Sequence, residues 1–395
     1  MSKLIITAIL LFFSWSLNAQ KSISMEEVIE QITKQHPTVL QQDLYIEQQL
    51  ILKDAGKKQP FLNVGYTFEE VGIGSSGIHS LYLLQNFNLP KVAKSKSILQ
   101  EELAKTGALQ KEATQKQLER YSASLYQQIL FLKSKQRLNE YLLATYRKIE
   151  TIAQKRLDAG ETSKLPVLAT QTAQQQLELQ QMSIRQNYLV QLEKLKQYLM
   201  DSTITDIRDT ALVVLSNTLQ SIDFEAHPLV KKIDQNIIVN NARSQVIQNQ
   251  LLPQISVGFQ TQIVQLQYPF FGGQIGVNVP LFKKGVKAEM KANELNTRIL
   301  EQGKIWQIQQ LNGQQKIAMK NIEQLQQQLA HVENTILPTL QKQQEFSETA
   351  YAIGELNYLN VLQGSQQIIM ARNSYLQVVF QLNLAWINYQ YLMVG

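Results

Sequence analysis

The chain repeats itself. Gly160-Glu161 followed by Leu165, Val167 and Leu168 returns as Gly354-Glu355 followed by Leu359, Val361 and Leu362, at a constant offset of 194 residues. His36-Pro37 recurs as His227-Pro228 at offset 191, Pro90 as Pro280 at offset 190, and Pro60-Phe-Leu-Asn-Val-Gly-Tyr66 as Pro253-Gln-Ile-Ser-Val-Gly-Phe259 at offset 193. These landmarks keep their order, so the chain reads as a tandem duplication of about 190 residues. A long coiled coil of biased composition would not keep its prolines and glycines in register. The first repeat covers residues 20–200 and the second 224–395, with 201–223 as the join.

The matched glycines mark helical hairpin tips. Gly354 ends one helix, supplying the left-handed residue that lets the chain reverse without a Cβ clash, and Asn357 is a candidate cap for the returning helix. Gly160 plays the same part in the first repeat. Around these tips the apolar spacing predicts helices over 26–58, 91–157, 165–199, 224–251, 286–352 and 356–391. The first begins at Ser24, with Glu27 as capping-box partner, and Pro37 kinks or resets it. Helix 91–157 holds 67 residues, about 100 Å at 1.5 Å per residue, and helix 165–199 only about 52 Å. The missing length comes from helix 26–58, so two short helices stack end to end along one long one. Pro338 should bend the long helix of the second repeat, and the first repeat has no proline to match.

Between the helices the period changes from 3.6 to 2. Leu62, Val64, Tyr66 and Phe68 alternate with Asn63, Gly65, Thr67 and Glu69, and alternation resumes at Leu81, Leu83, Phe87 and Leu89, which predicts a β-hairpin over 61–89. A second hairpin is expected over 254–282, with strands at Ile255 to Ile263 and Ile275 to Leu281. The first hairpin tip spells Gly72-Ile-Gly-Ser-Ser-Gly77, a literal G-x-G-x-x-G. A nucleotide site would need a helix opening at these glycines and an acid about 20 residues on. A strand pattern and Lys91, Lys94 and Lys96 follow instead. In the join, Leu212-Val-Val-Leu215 is a short strand candidate.

Met1 to Ala19 has the charged start, apolar middle and small final residue of a secretory leader, and no later apolar run reaches the 18 or so residues needed for a membrane helix. Membrane insertion must then use strands. The chain has no cysteine, which excludes disulfides, thiolate metal sites and a lipidated cysteine. Its net charge of +6 is scattered among acids and glutamines, so nucleic-acid binding, which needs clustered cations, finds no support. Of four histidines, His36 and His227 hold duplicated structural positions, while His79 and His331 lack evident partners. No nucleophile, base or metal constellation points to an enzyme, and no cofactor site is evident.

Each repeat contributes one amphipathic hairpin, four strands in all. Four strands cannot close a barrel, and an open edge in lipid leaves backbone groups unpaired at several kcal/mol each. The chain must oligomerise to insert: two copies give eight strands and a filled interior, three give twelve and room for a channel.

The twofold plan of helix, hairpin, long helix and return helix, with its Gly-x-x-x-x-Leu tips, resembles the TolC family of outer-membrane efflux proteins over essentially the whole chain. Asn86-Phe-Asn-Leu-Pro-Lys91 and Gly276-Val-Asn-Val-Pro-Leu-Phe282 look most like the branch serving heavy-metal efflux pumps. The resemblance implies a mainly α chain with a membrane β-barrel: a homotrimer sharing 12 strands in the outer membrane of a Gram-negative bacterium, with an α-helical tube across the periplasm. It would dock through Gly160, Glu161, Leu165, Gly354, Glu355 and Leu359 to a periplasmic adaptor and an inner-membrane transporter of the RND type. The alternative is a periplasmic coiled-coil adaptor, which would carry one helical hairpin and lipoyl-like β-domains. The resemblance also implies a pore constriction at Tyr351, Asn360 and Gln363. The family carries acids where this chain has Asn360 and Gln363, and Leu356 replaces a basic partner. The two amides face either the lumen or a neighbouring helix.

Overall fold

The computed structural model describes residues 21–215, 223–265 and 267–394; the leader reading and Leu266 lie outside them. The elements are β1 (Lys21–Ile23), α1 (Met25–Gln35), α2 (Pro37–Ala55), β2 (Leu62–Glu69), β3 (Ile78–Phe87), α3 (Pro90–Asp158), α4 (Leu165–Leu199) and β4 (Ile204–Ile207). They continue with a 3-10 turn (Phe224–Ala226), α5 (Pro228–Asn249), β5 (Gln254–Val264), β6 (Tyr268–Asn278), α6 (Lys284–His331), a π turn (Val332–Ile336), α7 (Leu337–Ala352) and α8 (Tyr358–Val394).

Local chemistry explains most boundaries. Ser24 and Glu27 form the reciprocal capping box, with Glu27 N donating to Ser24 Oγ at 3.3 Å and Ser24 N to Glu27 Oε2 at 2.9 Å. The single helix expected over 26–58 is two, because His36 is extended at φ −65° and ψ 133° and Pro37 starts afresh. His227 has the same angles. Each imidazole then caps the helix it precedes: Nδ1 of His36 accepts from Thr38 N at 3.3 Å, and Nδ1 of His227 from Leu229 N at 3.2 Å. Helix 224–251 accordingly divides into the 3-10 turn and α5.

The chain forms two compact units. Of the described residues, one draws on 21–39, 114–215 and 311–394. Its larger core gathers Ile23, Val28, Ile32, Tyr126, Ile129, Leu195, Ile204 and Ile207. There α1 meets the far end of α4, with Gln31 Nε2 donating to the Leu199 carbonyl at 3.3 Å. The strand expected at Leu212–Leu215 is absent; β4 pairs instead in parallel with β1. Leu212 to Leu215 satisfy their backbone through side chains: Leu212 N donates to Ser134 Oγ at 3.1 Å, Leu215 N to Asn383 Oδ1 at 2.8 Å, and Asn383 Nδ2 to the Val213 carbonyl at 2.8 Å. Asn383 is fully buried and donates also to Gln127.

The helix expected as one piece over 286–352 is interrupted before Pro338. The Leu337 N–H bonds to the Val332 carbonyl, a π turn that absorbs the donor missing from proline. The return helix starts at Tyr358, not Leu356, since Asn357 Oδ1 accepts from Asn360 N at 3.1 Å.

The other unit comprises residues 40–113 and 223–310. Its four strands form one antiparallel sheet in the order β2-β3-β5-β6, so the two hairpins join edge to edge through β3 and β5. The last strand ends at Asn278 and begins at Tyr268, earlier than expected from Ile275. Gly272 and Gly273 hide the alternation there, yet they continue the register opposite Gln260 and Phe259. The G-x-G-x-x-G stretch is a hairpin loop, closed by a Gly72–Ser75 bridge with Gly74 and Gly77 at positive φ. Below the sheet, Asn240 and Asn293 clamp α5 to α6, each Nδ2 donating to the other's carbonyl at 2.8 Å. At Gly107 a Cβ would lie 2.9 Å from the Tyr45 and Ile46 side chains, so only glycine lets α2 approach α3 there.

Candidate functional site: the two helical tips

The tips share one hydrogen-bond scheme. At the end of α3 the Glu161 N–H bonds to the Arg156 carbonyl at 2.8 Å and Gly160 N–H to Leu157 at 2.9 Å, with Gly160 at φ +71°. At the end of α7 Glu355 N–H bonds to Ala350 at 2.8 Å and Gly354 N–H to Tyr351 at 3.2 Å, with Gly354 at φ +85°. Both are Schellman closures, in which the left-handed glycine returns two amides to orphan helix carbonyls. Beyond them the tips differ: Asn357 caps α8, whereas α4 opens on Lys164 without a side-chain cap and takes Pro166 into its first turn.

Gly160, Glu161, Leu165, Gly354 and Glu355 are all exposed, and Leu165 keeps 68% of its surface free. The Leu359 side chain lies outside the described residues. Nothing lies within 4 Å of a Cβ built on Gly160, and only Arg156 Nη2, at 3.7 Å, near one on Gly354.

The residues expected at a constriction fall into two groups. Asn360 and Gln363 are exposed at helical spacing on α8. Tyr351 is only 3% exposed, packed with Ile149, Tyr358 and Val361. The partner that spacing did not reveal is Arg156. Its Nη1 donates to the Tyr351 carbonyl at 3.4 Å, its guanidinium lies 5.2 Å from the Tyr351 ring centroid, and its Nε meets Glu161 at 3.3 Å. The residue matching Arg156 at the repeat offset of 194 is Ala350, so only the first tip carries the cation. Tyr358 completes the junction, its hydroxyl 2.9 Å from Thr170 Oγ1. Burial raises the Tyr351 and Tyr358 pKa values, opposed at Tyr351 by Arg156. Both phenols stay neutral at physiological pH. The junction therefore holds its shape through packing and one cation.

Among the described residues no group of three His, Asp or Glu could hold a metal, and no helix is long and apolar enough to cross a membrane. Neither a protein-family model nor a curated protein sequence matches the chain. Solved structures do. CusC, in crystal structures describing folding and transmembrane channel formation, superposes at TM-score 0.76 with 16% identity, covering 94% of this chain and 92% of its own. The chain has the TolC-like fold of outer-membrane channels. The outer-membrane channel OprN superposes at 0.77 with 12% identity over 94% and 90%, and the outer-membrane protein VceC of Vibrio cholerae at 0.74 with 14% over 94% and 96%. The TolC-like fold thus spans nearly the whole chain, with 94% of it superposed in each case.

Proposed function

We propose that the protein is the outer-membrane exit duct of a tripartite efflux system. It acts as a passive trimeric channel, not as an enzyme. Its tips meet a periplasmic adaptor that joins it to an inner-membrane transporter of the RND type, and no cofactor takes part. The observation that carries this reading is the sheet. Alternation along four antiparallel strands makes β2 and β6 run in opposite directions, and neither outer edge is paired among the described residues. The β6 edge of one copy can therefore pair antiparallel with the β2 edge of the next, a head-to-tail contact that closes a ring. One face carries Val64, Leu83, Phe259 and Ile275, and Val64 and Ile275 are 61% and 84% exposed. That face suits lipid hydrocarbon.

The resemblance of Asn86-Phe-Asn-Leu-Pro-Lys91 and Gly276-Val-Asn-Val-Pro-Leu-Phe282 to the heavy-metal branch makes metal cations one candidate cargo, but CusC, OprN and VceC superpose about equally well. The test is fractionation followed by gel analysis with and without heating. The protein should enter the outer membrane, run as a trimer unheated and collapse to a monomer on boiling. A soluble species with heat-independent mobility would overturn the reading.

A further inference from the structure

The register assigns every strand residue to one of two faces, and the face opposite the apolar one is almost free of charge. Residues directly opposed across a sheet share a face. One row runs Gly65, Tyr82, Gln260, Gly272; the next toward the hairpin loops runs Thr67, Ser80, Gln262, Phe270; the next toward the helices runs Asn63, Leu84, Gly258, Gln274. At the helix-side end Asn278 Nδ2 donates to Asn86 Oδ1 at 2.9 Å and Gln254 Nε2 to Asn88 Oδ1 at 2.9 Å, two amide pairs on the same face. Aromatic and amide side chains also cover the glycines here. The Tyr82 ring occupies the space a Gly65 Cβ would need, at 2.2 Å, and Gln260 lies 3.3 Å from one on Gly272. A hollow of about 430 Å³ opens among Thr67, Glu69, Ser80, Tyr82, Gln260, Gln262 and Gln274, with Glu69 its one charged group.

The four strands contain no lysine or arginine and a single carboxylate, Glu69, at the loop end of β2. Its row includes Val264, and Gln254 lies at the other end of the same strand. Ten residues at about 3.3 Å each place the amide pairs ~33 Å from that row along the strand. Screening in physiological salt has a length of about 8 Å, so the Glu69 field does not reach them. Amides and hydroxyls hydrogen-bond anions, cations and neutral molecules alike, whereas selectivity by charge needs a ring of ionised groups.

Resting on the duct reading, which makes this face the lumen, we infer that the strand-built exit, inward of one Glu69 from each copy at its outer mouth, is a neutral, amide-lined passage that sorts cargo by size and not by charge. It fits polar organic molecules of either sign or none, and it gives a metal cation no preference.

The chain's lack of cysteine makes the test direct. Single cysteines replace Gln260 or Gln274 on the amide face and Val257 or Ile275 on the apolar face, and the membrane-embedded protein is treated with cationic and anionic methanethiosulfonates. Gln260→Cys and Gln274→Cys should react with both reagents at a rate ratio within about twofold of that for a free thiol, while the apolar-face thiols resist both. Adding Gln260→Glu to Gln274→Cys should shift the ratio several-fold toward the cationic reagent. A tenfold or greater cation preference at Gln260→Cys or Gln274→Cys without added carboxylates would overturn the inference and leave the duct standing. Reaction at Val257→Cys and Ile275→Cys but not on the amide face would overturn both.

Discussion

The Arg156 guanidinium, at the end of the first long helix, rests 5.2 Å from the ring centroid of Tyr351, beside the second tip. Because Tyr351 also offers its carbonyl to Nη1 at 3.4 Å, one side chain ties the two tips through residues 195 positions apart in sequence. Cation–π attraction of a partly desolvated pair is worth about 0.5–2 kcal/mol. Arg156→Ala should therefore speed amide hydrogen exchange at residues 350–358 several-fold and leave the sheet unaffected. Exchange unchanged at the second tip would show that packing by Ile149 and Tyr358 suffices.

Gly160 and Gly354 separate strain from obstruction. A Cβ at Gly160 meets open space, so Gly160→Ala costs only the left-handed backbone penalty, about 1–2 kcal/mol, and thermal unfolding should register it. Gly354→Asp adds a charged side chain at an exposed tip. It should leave trimers in the membrane while abolishing export and crosslinking to the adaptor. Export at the wild-type level would remove Gly354 from the docking surface.

Asn360 and Gln363 lead to an electrical measurement. Both are exposed and uncharged, so a trivalent cation should block single channels weakly. Asn360→Asp with Gln363→Asp should create strong block by bringing carboxylates from each copy into one ring. Strong block of the unaltered protein would put Glu161 or Glu355 at the narrowest point, and no block in the double variant would place positions 360 and 363 outside the lumen.

The two histidine caps predict sensitivity to acid. Burial lowers the pKa of both His36 and His227 below the ordinary imidazole value of 6.5, and each Nδ1 must stay unprotonated to accept its amide. For a group with a depressed folded pKa, the stabilisation is complete above the unfolded value. It is lost as pH falls through the folded one. Thermal stability should hold from pH 8 to 7 and decline below about 6.5. His227→Asn, which can cap without titrating, should lessen that decline. A melting temperature flat down to pH 5 would refute the capping role.

The features legible in the sequence were those that depend on neighbours a few residues away. The Ser24–Glu27 box, the Asn357 cap, the glycine tips and the strand alternation are each enforced within one turn or one pleat, and duplication displayed several of them twice. The tertiary structure decided what depends on distant partners. Lys21–Ile23 becomes a strand only because Ile204–Ile207 lies beside it. Leu212–Leu215 does not, because Ser134 and Asn383 take the hydrogen bonds a neighbouring strand would have made. Pro338 announced a disturbance, but whether the helix kinks or widens into a π turn depends on how the flanking residues pack. Arg156 shares the last turn of α3 with Lys155, and nothing local sets the two apart. Its role follows from Tyr351 being buried beside it, and burial arises only when separate helices exclude water together, which no local pattern encodes.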